Sequence, residues 1–473
     1  MQNNVSMPRN MRWVILAALL LIIFQSTRSL PLFYLDEMRF DMASDYVWYI
    51  GINSGVLPIT LRIVLSYLRW LPLFILGGSA MVLAVQQRRM PRAVHRADAY
   101  IVAFLIFTLV SCLYSINSSI SFMRAVSVIL MYGAVFWGVW IYADEFGVEA
   151  VASIIITASA IVFGLHIIDA IVDPIGSFPY LGRFRGWMVN PGTAAGYAAV
   201  LLPLTLWIAS QKSRWQYWLL VGVMLFVLIM SQTRTEIVAA TIGSMYFLVR
   251  TYPKRIYISL LSTISVLAVS YLWIEAGPRL FPIGTDFKLD NADDIFIDNN
   301  LEFGQEQNDI PMLEPWYKRF NPRTNDAKTL AHRTEKWRMG LEYFLERPLQ
   351  GFGFGTEDQL FAYHDVNLPD YQLSGAYMHN SYLGLVLQVG IIGAALFYVP
   401  LASLILYELL AVRNTRNTPL FTALLSVVLT CMIAGMFSSD LYSMGNAKSF
   451  VFWISVMLLV RANNTSKDIH LQI

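Results

Sequence analysis

Four groups of residues carry side chains suited to holding an anion and moving a proton. The first is Arg183-Phe-Arg185-Gly-Trp-Met-Val-Asn190-Pro191, and the second is Ser-Gln-Thr-Arg234-Thr-Glu236. The third is Arg333, followed at a distance by Gly351-Phe-Gly-Phe-Gly355; the fourth is His379-Asn380-Ser-Tyr382. Arginine stays charged and presents two parallel N–H groups in one plane, which matches a phosphate. A histidine titrates close to neutral pH and so can serve as a general base. A structural reading stands beside each. Arg183 and Arg185 also read as side chains snorkelling to lipid headgroups, Arg234 as the partner of Glu236, and His379 as an interfacial packing residue. The other histidines have weaker cases: His95 and His470 fall on the opposite side, His166 within a span, and His364 in a polar loop, while His332 beside Arg333 is a rival base. The glycines at 351–355 read as a tight turn, because no strand precedes them as a nucleotide-binding loop requires.

The elements that must position these groups are membrane helices. The chain has 473 residues, of which 56% are hydrophobic and only 14% charged, against about 25% charged in an ordinary soluble protein. Its apolar residues come in blocks close to the length that crosses a bilayer as a helix. Backbone polar groups must be satisfied inside lipid, so these blocks are helical. The alternating ten-residue segments of a barrel are missing. The pattern predicts an all-α polytopic membrane protein of about twelve spans, near 12–25, 59–85, 98–115, 122–143, 149–171, 192–209, 216–230, 236–250, 256–274, 381–410, 419–437 and 449–461. The long span at 381–410 is expected to tilt or break at Gly390-Ile-Ile-Gly393. The first span, preceded by Arg9 and Arg12, reads as an uncleaved helix because no small-residue cleavage site follows it.

Basic residues cluster in the links that twelve spans place on one side: Arg88, Arg89, Arg92 and Arg96; Lys212 and Arg214; Arg250, Lys254 and Arg255; Arg413 and Arg416. The bias makes that side, with both termini, cytoplasmic. The domain expectation is then helices 1–9 over 1–274, a large periplasmic loop over 275–380, helices 10–12 over 381–461, and a cytoplasmic tail over 462–473. All four residue groups fall on the periplasmic side. The large loop is acidic in its first half (Asp286 to Asp309) and basic in its second (Lys318 to Arg338). Trp337, Leu341, Phe344 and Leu345 share a face at helical spacing, which predicts an amphipathic helix over 334–347, ended by Pro348 and Gly351. Cys112 and Cys431 both lie in apolar blocks and read as small core residues. No zinc spacing, P-loop or internal repeat occurs; no cofactor and no nucleic-acid partner is expected.

The tail motif runs Arg333-Thr-Glu-Lys-Trp337, then Pro348-Leu-Gln-Gly-Phe-Gly-Phe-Gly355, then His379-Asn-Ser-Tyr-Leu-Gly-Leu-Val-Leu-Gln-Val-Gly-Ile-Ile-Gly393. With Arg185-Gly, Asn190-Pro191 and the Arg234 turn upstream, it resembles the O-antigen ligase and Wzy-type O-antigen polymerase family over roughly 180–395. The resemblance implies a metal-independent glycosyltransferase of the multi-spanning, GT-C-like type in a bacterial inner membrane, whose donor is a glycan on undecaprenyl pyrophosphate. Arg183, Arg185, Arg234 and Arg333 would hold the pyrophosphate. His379 would be the general base, supported by Asn380 and Tyr382. The expected partners are the lipid-linked donor, a glycan or lipid A core acceptor, membrane lipid, and a chain-length regulator. The long, charge-segregated loop favours a polymerase of O-antigen or exopolysaccharide over a ligase acting on lipid A core. Two rival readings belong to other classes. A lipid-linked sugar transporter would show more intramembrane charge and matched broken helices. A metal-dependent transferase would use Asp36, Glu37 and Asp41 of the first periplasmic loop.

Overall fold

The computed structural model describes residues 8–26, 70–88, 90–172, 177, 183–186, 188, 191–255, 328–364, 377–411, 419–443 and 447–470. Among them the chain is helical, without strands. In chain order the helices are α1 (Arg9–Ser26), α2 (Leu71–Gln87), α3 (Arg96–Ser111), α4 (Ser118–Tyr132), α5 (Trp140–Phe146), α6 (Val148–Val172), α7 (Pro191–Lys212), α8 (Trp215–Met230) and α9 (Arg234–Thr251). They continue with α10 (Lys328–Glu346), α11 (Leu360–Tyr363), α12 (Ser381–Ala411), α13 (Pro419–Ala434) and α14 (Ala447–His470). A π-helical stretch, Gly133–Val139, joins α4 to α5 without a break. Each predicted span has a helix at its place where it is described; 256–274 and the first part of 59–85, up to residue 69, lie outside the described residues, as do the loop with Asp36, Glu37 and Asp41 and the acidic half of the large loop. Four described helices are long and apolar enough to cross a membrane: Ser118–Phe146, Val148–Val172, Pro191–Lys212 and Ser381–Leu410. Shorter apolar helices include Asn10–Leu21, Leu71–Gln87, Trp215–Met230 and Pro419–Ala434.

The main apolar cluster lies among the helices, with α7 buried along most of its length between α8, α9, α13 and α14, and a second, smaller one joins Tyr343 of α10 to Phe352, Phe361, Met378 and Leu387. Small residues let backbones approach, as expected where lipid offers no hydrophobic drive between helices. A Cβ on Gly138 would stand 2.5 Å from the carbonyl oxygen of Leu76, so α2 packs directly on the π-helical stretch. At that stretch Arg92 donates from Nε to Phe136 O at 2.7 Å, forms two hydrogen bonds to Asp98, and lies over the rings of Trp137 and Trp140. Arg92 is buried. It is therefore a paired, internal cation. His95 caps α3, accepting from Ala97 N while Asp98 accepts from His95 N.

The predicted break in the long span falls at Gly390, whose φ of 61° and ψ of −172° interrupt α12. A break frees the amides of Ile391 and Ile392 and the carbonyls of Leu387 and Gln388, which an intact helix would join in i to i−4 bonds. The segment 348–353 takes up all four. Ile391 N donates to Pro348 O at 2.9 Å and Ile392 N to Leu349 O at 3.4 Å, while Phe352 N donates to Leu387 O and Gly353 N to Gln388 O, both at 2.9 Å. A Cβ on Gly351 would lie 2.5 Å from Gln388 C, and one on Gly390 2.2 Å from Leu349 C. Both glycines also have positive φ, which other residues reach only with strain. The glycine run at 351–355 is thus more than a turn: it is inserted into the broken helix and satisfies it.

The amphipathic helix is present as α10, but its buried face is not the predicted one. Gly340 and Tyr343 are buried and Trp337 and Phe344 partly so, whereas Leu341 is 56% and Leu345 73% exposed. Gly340 lies against Met378, Leu383 and Leu387. The close approach to α12, not the richest apolar arc, decides which face turns inward.

Candidate active site

Two of the four sequence groups meet at the head of α9. The residues 183–186 cross the end of α8, with Phe184 N donating to Met230 O at 2.9 Å and the Phe184 ring fully buried against His166 and Phe226. Arg183 donates from Nε to Ser231 O at 2.8 Å and from Nη2 to Thr233 Oγ1 at 3.1 Å. Arg183 therefore braces the turn that presents Arg234, which is the first residue of α9 and exposed. Arg185, two residues on from Arg183, is buried. No hydrogen bond from the Thr233 side chain caps α9, so the positive end of its dipole joins the three arginines. Gln232 is buried in this turn with neither amide atom hydrogen-bonded. Asn190 lies outside the described residues.

The other two groups meet at the head of α12. Trp337 of α10 donates from Nε1 to Met378 O at 2.7 Å. His379 follows with a φ of 50°, and Asn380 then caps α12, its Oδ1 accepting from Tyr382 N at 3.0 Å and Leu383 N at 3.1 Å. Asn380 thus supports His379 through the helix start; its oxygen is committed to backbone amides. Ser381 N donates to Gly435 O at 2.7 Å, and the Tyr382 hydroxyl donates to Met432 O at 2.8 Å. The histidine is consequently held between α10, α12 and the loop that follows α13. Burial, with Arg333 and Lys336 beside it, lowers the His379 pKa to about 4, against a smaller upward pull from Asp440. Burial and Arg333 likewise lower Lys336. The side chain of His332, the rival base, lies outside the described residues. His364 is stacked flat on Tyr343 at 3.9 Å and faces Glu346.

The alternative structural reading, which pairs Arg234 with Glu236, is not what the structure contains. Residues two apart on a helix do not face one another. Glu236 instead accepts from Lys448 of α14 at 2.9 Å, and Lys448 also pairs with Asp440. Glu236 and Lys448 are buried, and Gly196 of α7 leaves room for the lysine: a Cβ there would be 2.8 Å from Nζ. Burial would raise Asp440, but Lys448 outweighs it and holds the carboxyl below its ordinary range. Asp440 in turn faces His379. A run of ionic contacts therefore joins Glu236 of α9 through Lys448 to Asp440, whose charge acts on His379 through space. Asp440, Lys448 and a second buried acid, Glu357, are the candidate-site residues that sequence reasoning missed. Lys448 and Glu236 did leave a signal, since each is an ionisable residue at the edge of an apolar block.

Residues 219–398, from within α8 to within α12, match a family model described as O-Antigen ligase. These residues belong to the O-antigen ligase family. No curated protein matches the chain. The family segment includes Arg234, Glu236, Arg333, Glu357 and His379, while Arg183, Arg185, Asp440 and Lys448 join it from outside. The match and the apolar helices support membrane-bound, O-antigen-related glycan transfer, and the matched family is one of glycosyl-transferring enzymes.

Proposed function

We propose that the chain is a GT-C-like, twelve-span glycosyltransferase of the bacterial inner membrane, with cytoplasmic termini and a periplasmic active site. It moves a glycan from undecaprenyl pyrophosphate onto an acceptor sugar hydroxyl without a metal ion. The observation that carries this reading is the seat of His379 at the head of α12 beside Arg333, Lys336 and Asp440. The acceptor oxygen attacks the anomeric carbon, the bond from that carbon to the pyrophosphate oxygen breaks, and the hydroxyl proton passes to the neutral imidazole. Arg333, with Arg183, Arg185 and Arg234 at the head of α9, stabilises the charge that grows on the departing pyrophosphate. Arg183 acts largely through the turn it braces. The low pKa keeps His379 unprotonated in the resting enzyme. An arriving pyrophosphate offsets the cations that depress it, which makes the imidazole a stronger base once donor is bound.

A polymerase is favoured over a ligase by the charge-segregated loop over 275–380. Purified protein incubated with lipid-linked glycan, with and without lipid A core acceptor and with and without EDTA, tests the reading. We expect chain growth without lipid A core and no effect of EDTA; transfer only to lipid A core makes it a ligase, and EDTA inhibition overturns metal independence. His379→Ala should lose about 10²–10⁴-fold in turnover, the range of a positioned base, while still binding donor. Near-normal turnover would remove His379 from the mechanism.

A further inference from the structure

Glu357 lies in the short helical turn Glu357–Gln359 after the inserted glycine run, and it is only 2% exposed. Four donors converge on its carboxylate. Oε1 accepts from Met378 N at 2.7 Å and from Ser439 Oγ at 2.7 Å. Oε2 accepts from the Tyr442 hydroxyl at 2.9 Å and from Gln388 Nε2 at 3.1 Å. The orientation of Gln388 is fixed, because its Oε1 accepts from Gly355 N at 2.6 Å and a backbone amide can only donate. Gly384 on α12 leaves the space: a Cβ there would be 2.6 Å from Glu357 Oε2 and 2.4 Å from the Tyr442 hydroxyl. The next residue, Asp358, is tied to Arg124 of α4 by two hydrogen bonds of 2.8 Å, which anchors the turn.

The partners of Glu357 come from the segments that hold the proposed base and its acidic neighbour. Met378 immediately precedes His379, and Ser439 immediately precedes Asp440. The third segment is the broken part of α12. We infer that Glu357 is a positioning residue that clamps the His379 segment to the Asp440 loop, so that the imidazole and the carboxylate keep their mutual placement; this rests on the glycosyltransferase reading above. The bonds to Met378 and Gln388 come from groups that can only donate, and an acceptor-only carboxylate meets both at once. A glutamine cannot, since turning its oxygen to Met378 sets its NH2 against that of Gln388. The conflict disappears if position 388 becomes the acid. In the double variant the amide at 357 faces Met378 and Ser439 with its oxygen and donates to the new carboxylate, which still accepts from Gly355 N.

The test compares Glu357→Gln, Glu357→Ala and the exchange Glu357→Gln/Gln388→Glu in otherwise intact protein. Turnover and donor KM are measured on lipid-linked glycan. Modification of His379 by diethyl pyrocarbonate is followed on its own peptide by mass spectrometry, a readout that needs no activity. Both single variants should lose up to about 100-fold in kcat, the scale of a displacement near 1 Å, with donor KM little changed, and His379 should react several-fold faster. The exchange should recover most of both. Wild-type kcat and wild-type modification rates in the single variants overturn the inference. So does an exchange variant that melts like the wild type yet stays as inactive as Glu357→Gln, because the acid would then be needed at 357 itself. If the wild type transfers no glycan while the modification rates change as described, the glycosyltransferase reading fails and the clamp stands.

Discussion

Replacing Arg333 with glutamine should raise the pKa of His379. In the intact protein it is lowered from 6.5 to about 4, by burial first and then by Arg333 and Lys336, against Asp440. At 1.36 kcal/mol per unit, that depression amounts to about 3 kcal/mol against the imidazolium. Removing the arginine charge should return up to about one unit of it. The assay is a pH titration of the His379 ring signals by NMR in detergent micelles, assigned with a His379→Gln variant. The sign follows from which state binds the proton. Between about 4 and 6.5 the unfolded chain holds a proton at this position and the folded chain does not, so stability is full above 6.5 and is lost as pH falls towards 4. Activity should follow the same direction: kcat/KM, which reports the free enzyme, declines through this histidine only near its low pKa, whereas kcat inflects at higher pH because bound pyrophosphate offsets the cations. A wild-type ring titrating at or above 6.5 would refute the reasoning, and so would an Arg333→Gln ring that titrates where the wild type does.

Arg234→Lys should be nearly as damaging as Arg234→Ala, because lysine keeps the charge and loses the planar pair of donors; if lysine restores most of the turnover, Arg234 serves only as a point charge. Lys448→Met should cost about 3–5 kcal/mol by stranding Glu236 and Asp440 in the interior; a thermal melt equal to the wild type's would contradict the ionic run. Gly390→Ala should destabilise the protein by more than the roughly 1–3 kcal/mol of a side chain held in a glycine-only backbone conformation, since its Cβ also meets the backbone of Leu349 and Gln350 at 2.2 and 2.5 Å; an unchanged melting temperature would show that the inserted loop yields easily.

What could be read from the sequence was local. Hydropathy marks α1 at 12–25 against Arg9–Ser26, and α6 at 149–171 against Val148–Val172, because helix length and apolar content are properties of one segment. Gly390 was legible as a breaking point for the same reason. What fills the break was not, since the partners of Leu387, Gln388, Ile391 and Ile392 lie some forty residues earlier in sequence. Glu357 illustrates the same limit. Beside Asp358 in the run Thr-Glu-Asp-Gln it has no distinguishing neighbour, yet the two acids face opposite ways, one to Arg124 and the other into a network of donors.

The alternative reading of Arg234 as the partner of Glu236 fails for a reason of helix geometry. A search along the chain offers the nearest opposite charge, but α9 turns its residues 234 and 236 to different sides: Arg234 is exposed and Glu236 buried. The burial of Glu236 demands a cation from another helix, and α14 supplies Lys448 where Gly196 makes room. Lys448 also holds Asp440, so the acid at position 236 serves the packing of α9 against α14, and Arg234 stands at the head of α9, where the positive end of the helix dipole adds to its charge.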